Sequence, residues 1–399
     1  MRLFILILAL AILSSAVAAQ PEPTDAEGFR LRGKTAYEKK EYDKAIKDFD
    51  EAIRLNPKLA VAYVNRALAL RFKGEHDKAM KDCEEAIRLD PKIVHAYTTR
   101  GTLFADKGKH DEAIKDFDEA LKLNPKFTYA IHQRGLARLN KALLDEAIKD
   151  FDEAIRLDPM DPRHFFGRGL ARSTKNELDK ALADFDSAIR LGPKEPRAYY
   201  RRGEVWLAKG EWAKAITDYD ESISLDAKDA NAYWGRARAL INSGEYGRAI
   251  QDCDSLLLLT PKYSPGYRQR GLALMLSGEF EKALADFDKC LELDPKNTDA
   301  LNDRSVLRSG CPDAKFRDGA KAIEDARKAC ELSEWKQPYF LPILATAYAE
   351  AGDFAEAVKW QKKALDDERY AKAQGDDARA VLKLFEEMKP PPRLMIKKK

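Results

Sequence analysis

The apolar positions of this chain recur at helical intervals, in short stretches that come in pairs. In one such stretch, Ala45, Ile46, Phe49, Ala52 and Ile53 fall on one face of a helix, with charged residues between them. The pattern returns every 34 residues and is marked by eight alanines: Ala45, Ala79, Ala113, Ala147, Ala181, Ala215, Ala249 and Ala283. Such a long fixed period predicts a stack of similar units, because no single globular core requires it.

Each 34-residue unit is predicted to be a hairpin of two helices. We number the places of a unit from residue 26, which puts the repeated alanine at place 20. Small residues stand at places 8 and 27, where the two helices must approach closely. Glycine near the middle is expected to end the first helix in a left-handed turn, and proline is expected to end the second. The mid-unit glycines are Gly74, Gly108, Gly210, Gly244 and Gly278.

The order of aromatic, small, small and proline places resembles the tetratricopeptide repeat family, and in particular its exported bacterial members. The resemblance implies an all-α, right-handed α-solenoid superhelix of about ten helical hairpins with a C-terminal capping helix. Eight regular units span residues 26–297. A ninth, irregular unit with an insertion is expected at 298–337, a tenth at 338–371 and the capping helix at 373–389.

The two ends of the chain are expected to lie outside the repeats. Residues 1–19 carry one arginine, an apolar run from Leu3 to Leu13 and small residues before Gln20, which predicts a cleaved signal peptide. The run is shorter than the ~20 residues that a membrane-spanning helix needs, so we expect no stable membrane insertion. Together with the family resemblance, this indicates export to the periplasm or the extracellular space. Residues 390–399 are expected to form a basic tail.

Two charged residue types occupy equivalent places in nine successive units. The arginines at place 7 are Arg32, Arg66, Arg100, Arg134, Arg168, Arg202, Arg236, Arg270 and Arg304. The aspartates at place 23 are Asp48, Asp82, Asp116, Asp150, Asp184, Asp218, Asp252, Asp286 and Asp325. Because the helices of a hairpin run antiparallel, we expect these places to face each other and form ion pairs. The alternative is a basic stripe for RNA or phosphate, but Leu344 and Trp360 replace both partners together in the tenth unit, which favours the pairs.

The family resemblance also implies a partner-binding groove, lined by the first helix of each unit. Large aromatic and arginine side chains at the groove places are typical anchors of protein interfaces. The candidates are His132, Phe166, Tyr200, Trp234, Arg197, Asn231, Arg238 and Arg268. The alternative, left open by the sequence, is that these rings pack on neighbouring helices.

The chemistry of the remaining residues predicts no reaction. The five histidines have no spacing typical of a metal site, and the chain has no phosphate-binding glycine loop or nucleophile elbow, so we expect no catalytic residue, cofactor or metal. Cys311 and Cys330 flank the insertion and are expected either to form a disulfide or to remain reduced.

The net charge of +3 gives no general attraction to nucleic acid. The predicted function is therefore that of a protein-interaction scaffold whose partner is a protein or peptide. The alternatives are a nucleic-acid-binding repeat array and a self-assembling structural solenoid; the sequence does not determine the oligomeric state.

Overall fold

The computed structural model describes residues 23–390 and 393–394, and all regular elements in these ranges are helices. The predicted signal peptide and most of the predicted basic tail lie outside the described residues. The chain divides into two compact units, one ending at Leu191 and the other beginning at Gly192. Among the described helices, none combines the length and the apolar character that crossing a bilayer requires.

The described part of the first unit is a row of five helical hairpins. Its helices are α1 (Ala26–Glu38), α2 (Tyr42–Leu55), α3 (Ala60–Phe72), α4 (His76–Leu89), α5 (Val94–Asp106), α6 (His110–Leu123), α7 (Thr128–Asn140), α8 (Leu144–Leu157), α9 (Pro162–Thr174) and α10 (Leu178–Leu191). Each helix packs on the next, and the first helices of adjacent hairpins also contact each other. This is the packing of a tetratricopeptide repeat solenoid.

The second unit consists of five hairpins and a closing helix. Its helices are α11 (Pro196–Ala208), α12 (Trp212–Leu225), α13 (Ala230–Ser243), α14 (Tyr246–Leu259), α15 (Ser264–Ser277), α16 (Phe280–Leu293), α17 (Thr298–Gly310), α18 (Gly319–Leu332), α19 (Leu341–Glu350), α20 (Phe354–Leu365) and α21 (Glu368–Glu386). The predicted insertion contains a short 3₁₀ helix, Ala314–Phe316. The closing helix begins before the expected residue 373, because the Asp367 carboxylate accepts the backbone amides of Arg369 and Tyr370 and caps it.

In the turn between the two helices of each regular hairpin, the residue at place 15 has the left-handed backbone conformation with positive φ. The five predicted glycines adopt it, with φ between 71° and 87°. Lys40, Ala142 and Asn176 adopt the same conformation with φ of 56–63°, although a side chain makes it less favourable. The packing of the two helices therefore imposes the turn even where the sequence lacks glycine.

The crossing of the two helices in a hairpin is filled by one residue at place 24 that packs over the small residue at place 8. The aromatic rings at place 24 are at most 1% exposed: Phe49, Phe117, Phe151, Phe185, Tyr219 and Phe287. Each lies opposite a glycine, and a Cβ on Gly33 would come within 2.7 Å of the Phe49 ring. Where cysteine replaces the ring, at Cys83 and Cys253, alanine replaces the glycine. A larger residue at place 8 is thus accompanied by a smaller one at place 24, which keeps the crossing of the two helices filled without overpacking.

Candidate functional site

The nine arginines at place 7 each bind the aspartate at place 23 of their own hairpin. Nε and Nη2 of each guanidinium donate to the carboxylate at 2.5–3.1 Å, through the bidentate geometry that arginine favours. The aspartates are buried, and the arginine side chains are 17–26% exposed except for Arg32 at 40%. The structure therefore brings the partners expected from the sequence together in every one of these hairpins.

A second contact, which sequence reasoning missed, ties neighbouring hairpins together. Nη1 of Arg66, Arg134, Arg168, Arg236, Arg270 and Arg304 also donates to an aspartate at place 25 of the preceding hairpin, at 2.5–2.6 Å. These aspartates are Asp50, Asp118, Asp152, Asp220, Asp254 and Asp288. The sequence signal for this second contact was the acidic residue that recurs two places after the paired aspartate. Each of these arginines therefore binds two carboxylates, one in its own hairpin and one in the preceding hairpin.

The tenth unit replaces this charged pair with an apolar one. Leu344 and Trp360 occupy the equivalent places and are buried in the same apolar cluster as Leu341 and Ala345. Because neither partner is charged, no ion remains without a counter-charge.

The groove candidates of the first unit are largely used inside the fold. His132 is 8% exposed, and its ring packs edge-on against Phe151 at a centroid distance of 5.5 Å. Burial lowers the pKa of His132 to about 4, so its imidazole is neutral near pH 7. Phe166 is half-buried, with its ring 5.9 Å from that of Phe185. For His132 the structure agrees with the alternative left open by the sequence, because this side chain fills space between helices.

The groove candidates of the second unit differ from one another in exposure. Tyr200 is half-buried, its ring lies 5.9 Å from that of Tyr219, and its hydroxyl donates to Glu204 at 3.0 Å. Burial and the neighbouring Glu204 carboxylate raise the pKa of Tyr200. Arg268 is bound to Asp303 at 2.7 Å and is therefore already neutralised. Arg197 and Asn231 are exposed.

Arg238 and Trp234 form a distinct pair on α13. The guanidinium carbon of Arg238 lies 4.6 Å from the centre of the half-buried indole, within the range of a cation–π contact. The indole Nε1 is buried and has no hydrogen-bond partner among the described residues. Within residues 23–390 and 393–394, no carboxylate lies within 4.0 Å of Arg238. We call Trp234 and Arg238 the Trp234 face; it combines aromatic area with a cation that has no counter-ion among the described residues.

The two cysteines beside the insertion are free and buried, so the disulfide alternative does not describe this structure. Cys311 packs with Phe287 and Leu307, whereas Cys330 belongs to the apolar cluster around Leu344. Burial raises the pKa of both thiols, that of Cys330 to about 11, which makes them poor nucleophiles at neutral pH.

The structure also brings together three residues that sequence reasoning did not single out. Asp158, Asp161 and His164 place one potential ligand atom each within 4.8 Å of the others, in the turn between α8 and α9. The expectation that no histidine belongs to a metal-type cluster therefore needs revision. The available signal was a spacing of three residues between successive members, running across the turn between hairpins.

Comparison with known proteins identifies the repeats. Four models described as tetratricopeptide repeat match residues 26–59, 60–93, 94–127, 132–196, 172–230, 236–308 and 344–369. A tetratricopeptide repeat protein from Parabacteroides merdae superposes with a TM-score of 0.50 at 20% identity, over 62% of this chain and 98% of that one. Yeast Tom70 superposes with a TM-score of 0.45 at 16% identity, over 91% of this chain and 96% of its own.

At 20% identity, the likeness to the Parabacteroides protein shows a shared fold alone. Among curated proteins, none matches the sequence. The repeat models, however, match most of the chain between residues 26 and 308. The chain belongs to the tetratricopeptide repeat family.

Proposed function

We propose that this chain is a protein-interaction scaffold that binds an extended, acidic segment of a partner protein at the Trp234 face and performs no reaction of its own. Membership of the tetratricopeptide repeat family supports the scaffold role. One observation carries the choice of partner: within the described part of the chain Arg238 lies against Trp234 with no carboxylate bound to it, whereas each arginine at place 7 has at least one.

The chemistry of the Trp234 face suits a carboxylate ligand. A guanidinium that lies on an aromatic ring loses little conformational freedom when it binds, and its donors can form two parallel hydrogen bonds to a carboxylate. The half-buried ring of Trp234 supplies apolar area beside it. Tryptophan, tyrosine and arginine are the residue types that most often dominate binding energy at protein interfaces.

The nucleic-acid alternative is less well supported. Its candidate ligands were the arginines at place 7, and these are already bound by buried aspartates. A phosphate would have to displace those carboxylates and leave buried negative charge behind, which is costly. An acidic peptide at Arg238 displaces no internal partner within the described residues.

Charge reversal at Arg238 tests the proposal. A random peptide library displayed on phage, selected on the purified chain, is expected to enrich sequences with an acidic residue. Arg238→Glu should weaken the binding of a selected, fluorescein-labelled peptide at least tenfold, because about 2 kcal/mol or more is lost when a buried charge contact turns repulsive. Fluorescence anisotropy titration measures the change.

The matched control is Arg190→Glu, which makes the same charge change at an exposed position on α10. It should leave peptide affinity within twofold of that of the unaltered chain, and circular dichroism should show equal helix content in both variants. Enrichment of peptides without acidic residues, or an Arg238→Glu variant that binds normally, would contradict the proposal.

We further propose that the protein works outside the cytoplasm, as the sequence of residues 1–19 indicates. Amino-terminal sequencing of the protein isolated from its native cells is expected to begin at Gln20. A mature protein that still begins with Met1 would exclude cleavage.

A further inference from the structure

The turn between α8 and α9 collects two carboxylates and an imidazole. Asp158 caps the end of α8, Asp161 caps the start of α9 and His164 lies in the first turn of α9. His164 Nε2 is 3.7 Å from an Asp161 carboxylate oxygen, and one ligand atom of Asp158 completes the cluster within 4.8 Å. The three side chains therefore converge on one small volume.

The imidazole of His164 supplies the observation that points to a ligand. The residue is 3% exposed, and its Nε2 has no hydrogen-bond partner among the described residues. A buried polar atom without a partner is energetically unfavourable, so such atoms are rare unless something binds them. This nitrogen lies 3.7 Å from an Asp161 carboxylate oxygen, within the cluster.

The other ring nitrogen of His164 is held by a second histidine. Its Nδ1 lies 3.1 Å from Nδ1 of His132, and one of these two atoms must carry the proton that joins them. When Nδ1 of His164 is the hydrogen-bond donor, Nε2 of His164 carries a lone pair and lies 3.7 Å from an Asp161 carboxylate oxygen. A metal-binding histidine is commonly oriented by such a hydrogen bond from its second ring nitrogen.

We propose that Asp158, Asp161 and His164 bind one divalent transition-metal ion such as Zn²⁺, with His132 as the positioning residue behind His164. One imidazole nitrogen with carboxylate oxygens is a donor set that Zn²⁺ accepts. Zinc–ligand bonds of about 2.0–2.2 Å place neighbouring donor atoms roughly 3–4 Å apart, which fits the 3.7 Å between His164 and Asp161. Asp158 is exposed and can rotate to close its distance.

Arg163 competes with the ion for Asp161. Its Nη2 donates to the Asp161 carboxylate at 2.5 Å, but its side chain is 71% exposed and can move into solvent. Removing this arginine should therefore strengthen metal binding. That direction is opposite to the effect expected for each ligand, and a purely structural role of the cluster does not produce it.

The chain contains a matched turn without the imidazole. Asp226 and Asp229, between α12 and α13, stand at the same places as Asp158 and Asp161. The Asp226 carboxylate accepts the backbone amide of Lys228 at 3.0 Å, and the Asp229 carboxylate accepts that of Asn231 at 2.9 Å. Asp158 and Asp161 likewise each accept the backbone amide two residues further along the chain, at 3.2 and 2.9 Å. The residue that corresponds to His164 is Ala232, which is fully buried. The fold therefore accepts alanine at this place.

The test uses Zn²⁺ alone, titrated calorimetrically into the full mature chain after removal of metals with a chelator. The unaltered chain should bind one ion. His164→Ala and Asp161→Asn should each weaken binding at least tenfold, and asparagine keeps the cap of α9. His132→Gln should weaken it less than His164→Ala, whereas Arg163→Ala should tighten it severalfold.

Two control variants keep the outcome decisive. Asp226→Asn combined with Asp229→Asn, and His95→Gln at an exposed histidine, should leave the affinity unchanged. Co²⁺ as a second probe should give visible absorption bands that His164→Ala abolishes. Zinc binding that survives His164→Ala, or that weakens in Arg163→Ala, would overturn the proposal.

Discussion

Replacing Asp184 with alanine is expected to lower the free energy of unfolding by about 3–5 kcal/mol. Asp184 is 2% exposed and accepts hydrogen bonds from both Arg168 and Arg172. Its loss leaves two guanidinium groups, whose side chains are only 17% and 19% exposed, without their shared counter-charge. Urea denaturation followed by circular dichroism measures the change.

The control is Glu153→Ala, which removes an exposed ion pair with Arg156 one helical turn away. Such pairs contribute about 0.5 kcal/mol or less, so this variant should be nearly unchanged. Because repeat arrays unfold in parts, hydrogen exchange should locate the loss of protection in α9 and α10. Equal destabilisation by the two substitutions would show that the buried pairs do not hold the hairpins together.

Replacing Gly101 with alanine is expected to destabilise the fold by about 1–3 kcal/mol, although alanine is the better helix former. The added Cβ would lie 2.8 Å from the Phe117 ring, which is fully buried and cannot retreat without moving α5 or α6. The preceding hairpin accommodates alanine at this place, Ala67, only with the small Cys83 opposite it.

The difference between these two hairpins suggests a double-mutant cycle that combines Gly101→Ala with Phe117→Cys. Phe117→Cys alone should cost about 3 kcal/mol through the cavity it leaves. The double variant, with both substitutions, should be more stable than the sum of the two single effects by about 1 kcal/mol or more. Thermal and urea unfolding of the four proteins measure the coupling.

Gly247→Ala is the matched control, since it also replaces a helical glycine but meets nothing within 4 Å. It should stabilise the chain by up to about 1 kcal/mol. A Gly101→Ala variant that is likewise more stable would show that the crossing is not closely packed.

Two kinds of arginine have different roles in this molecule. The arginines at place 7 are bound to buried aspartates, and some of them, such as Arg66 and Arg236, also bind an aspartate of the preceding hairpin. Arg238 has no such partner within the described chain, and this difference is the reason for placing the partner site at the Trp234 face. Two arginines with the same charge are thus distinguished by their carboxylate neighbours alone.

The sequence by itself determined the repeat, the two helices of each unit and the pairing of Arg66 with Asp82. These follow from local rules: helical periodicity selects the buried face, and antiparallel helices bring places at equal distances from the turn together. The sequence also indicated why glycine stands opposite Phe117, because close helices require small side chains at their crossing. All of this information lies within a single 34-residue unit.

Only the tertiary structure decided how units contact one another. Four features depend on distances between helices: the hydrogen bond from Arg66 to Asp50, the burial of His132, the placement of Cys311 and Cys330 in different apolar clusters, and the contact of His164 with His132. Sequence spacing does not encode those distances, because a shift of one or two ångströms between packed helices decides whether a side chain is paired, buried or free to bind.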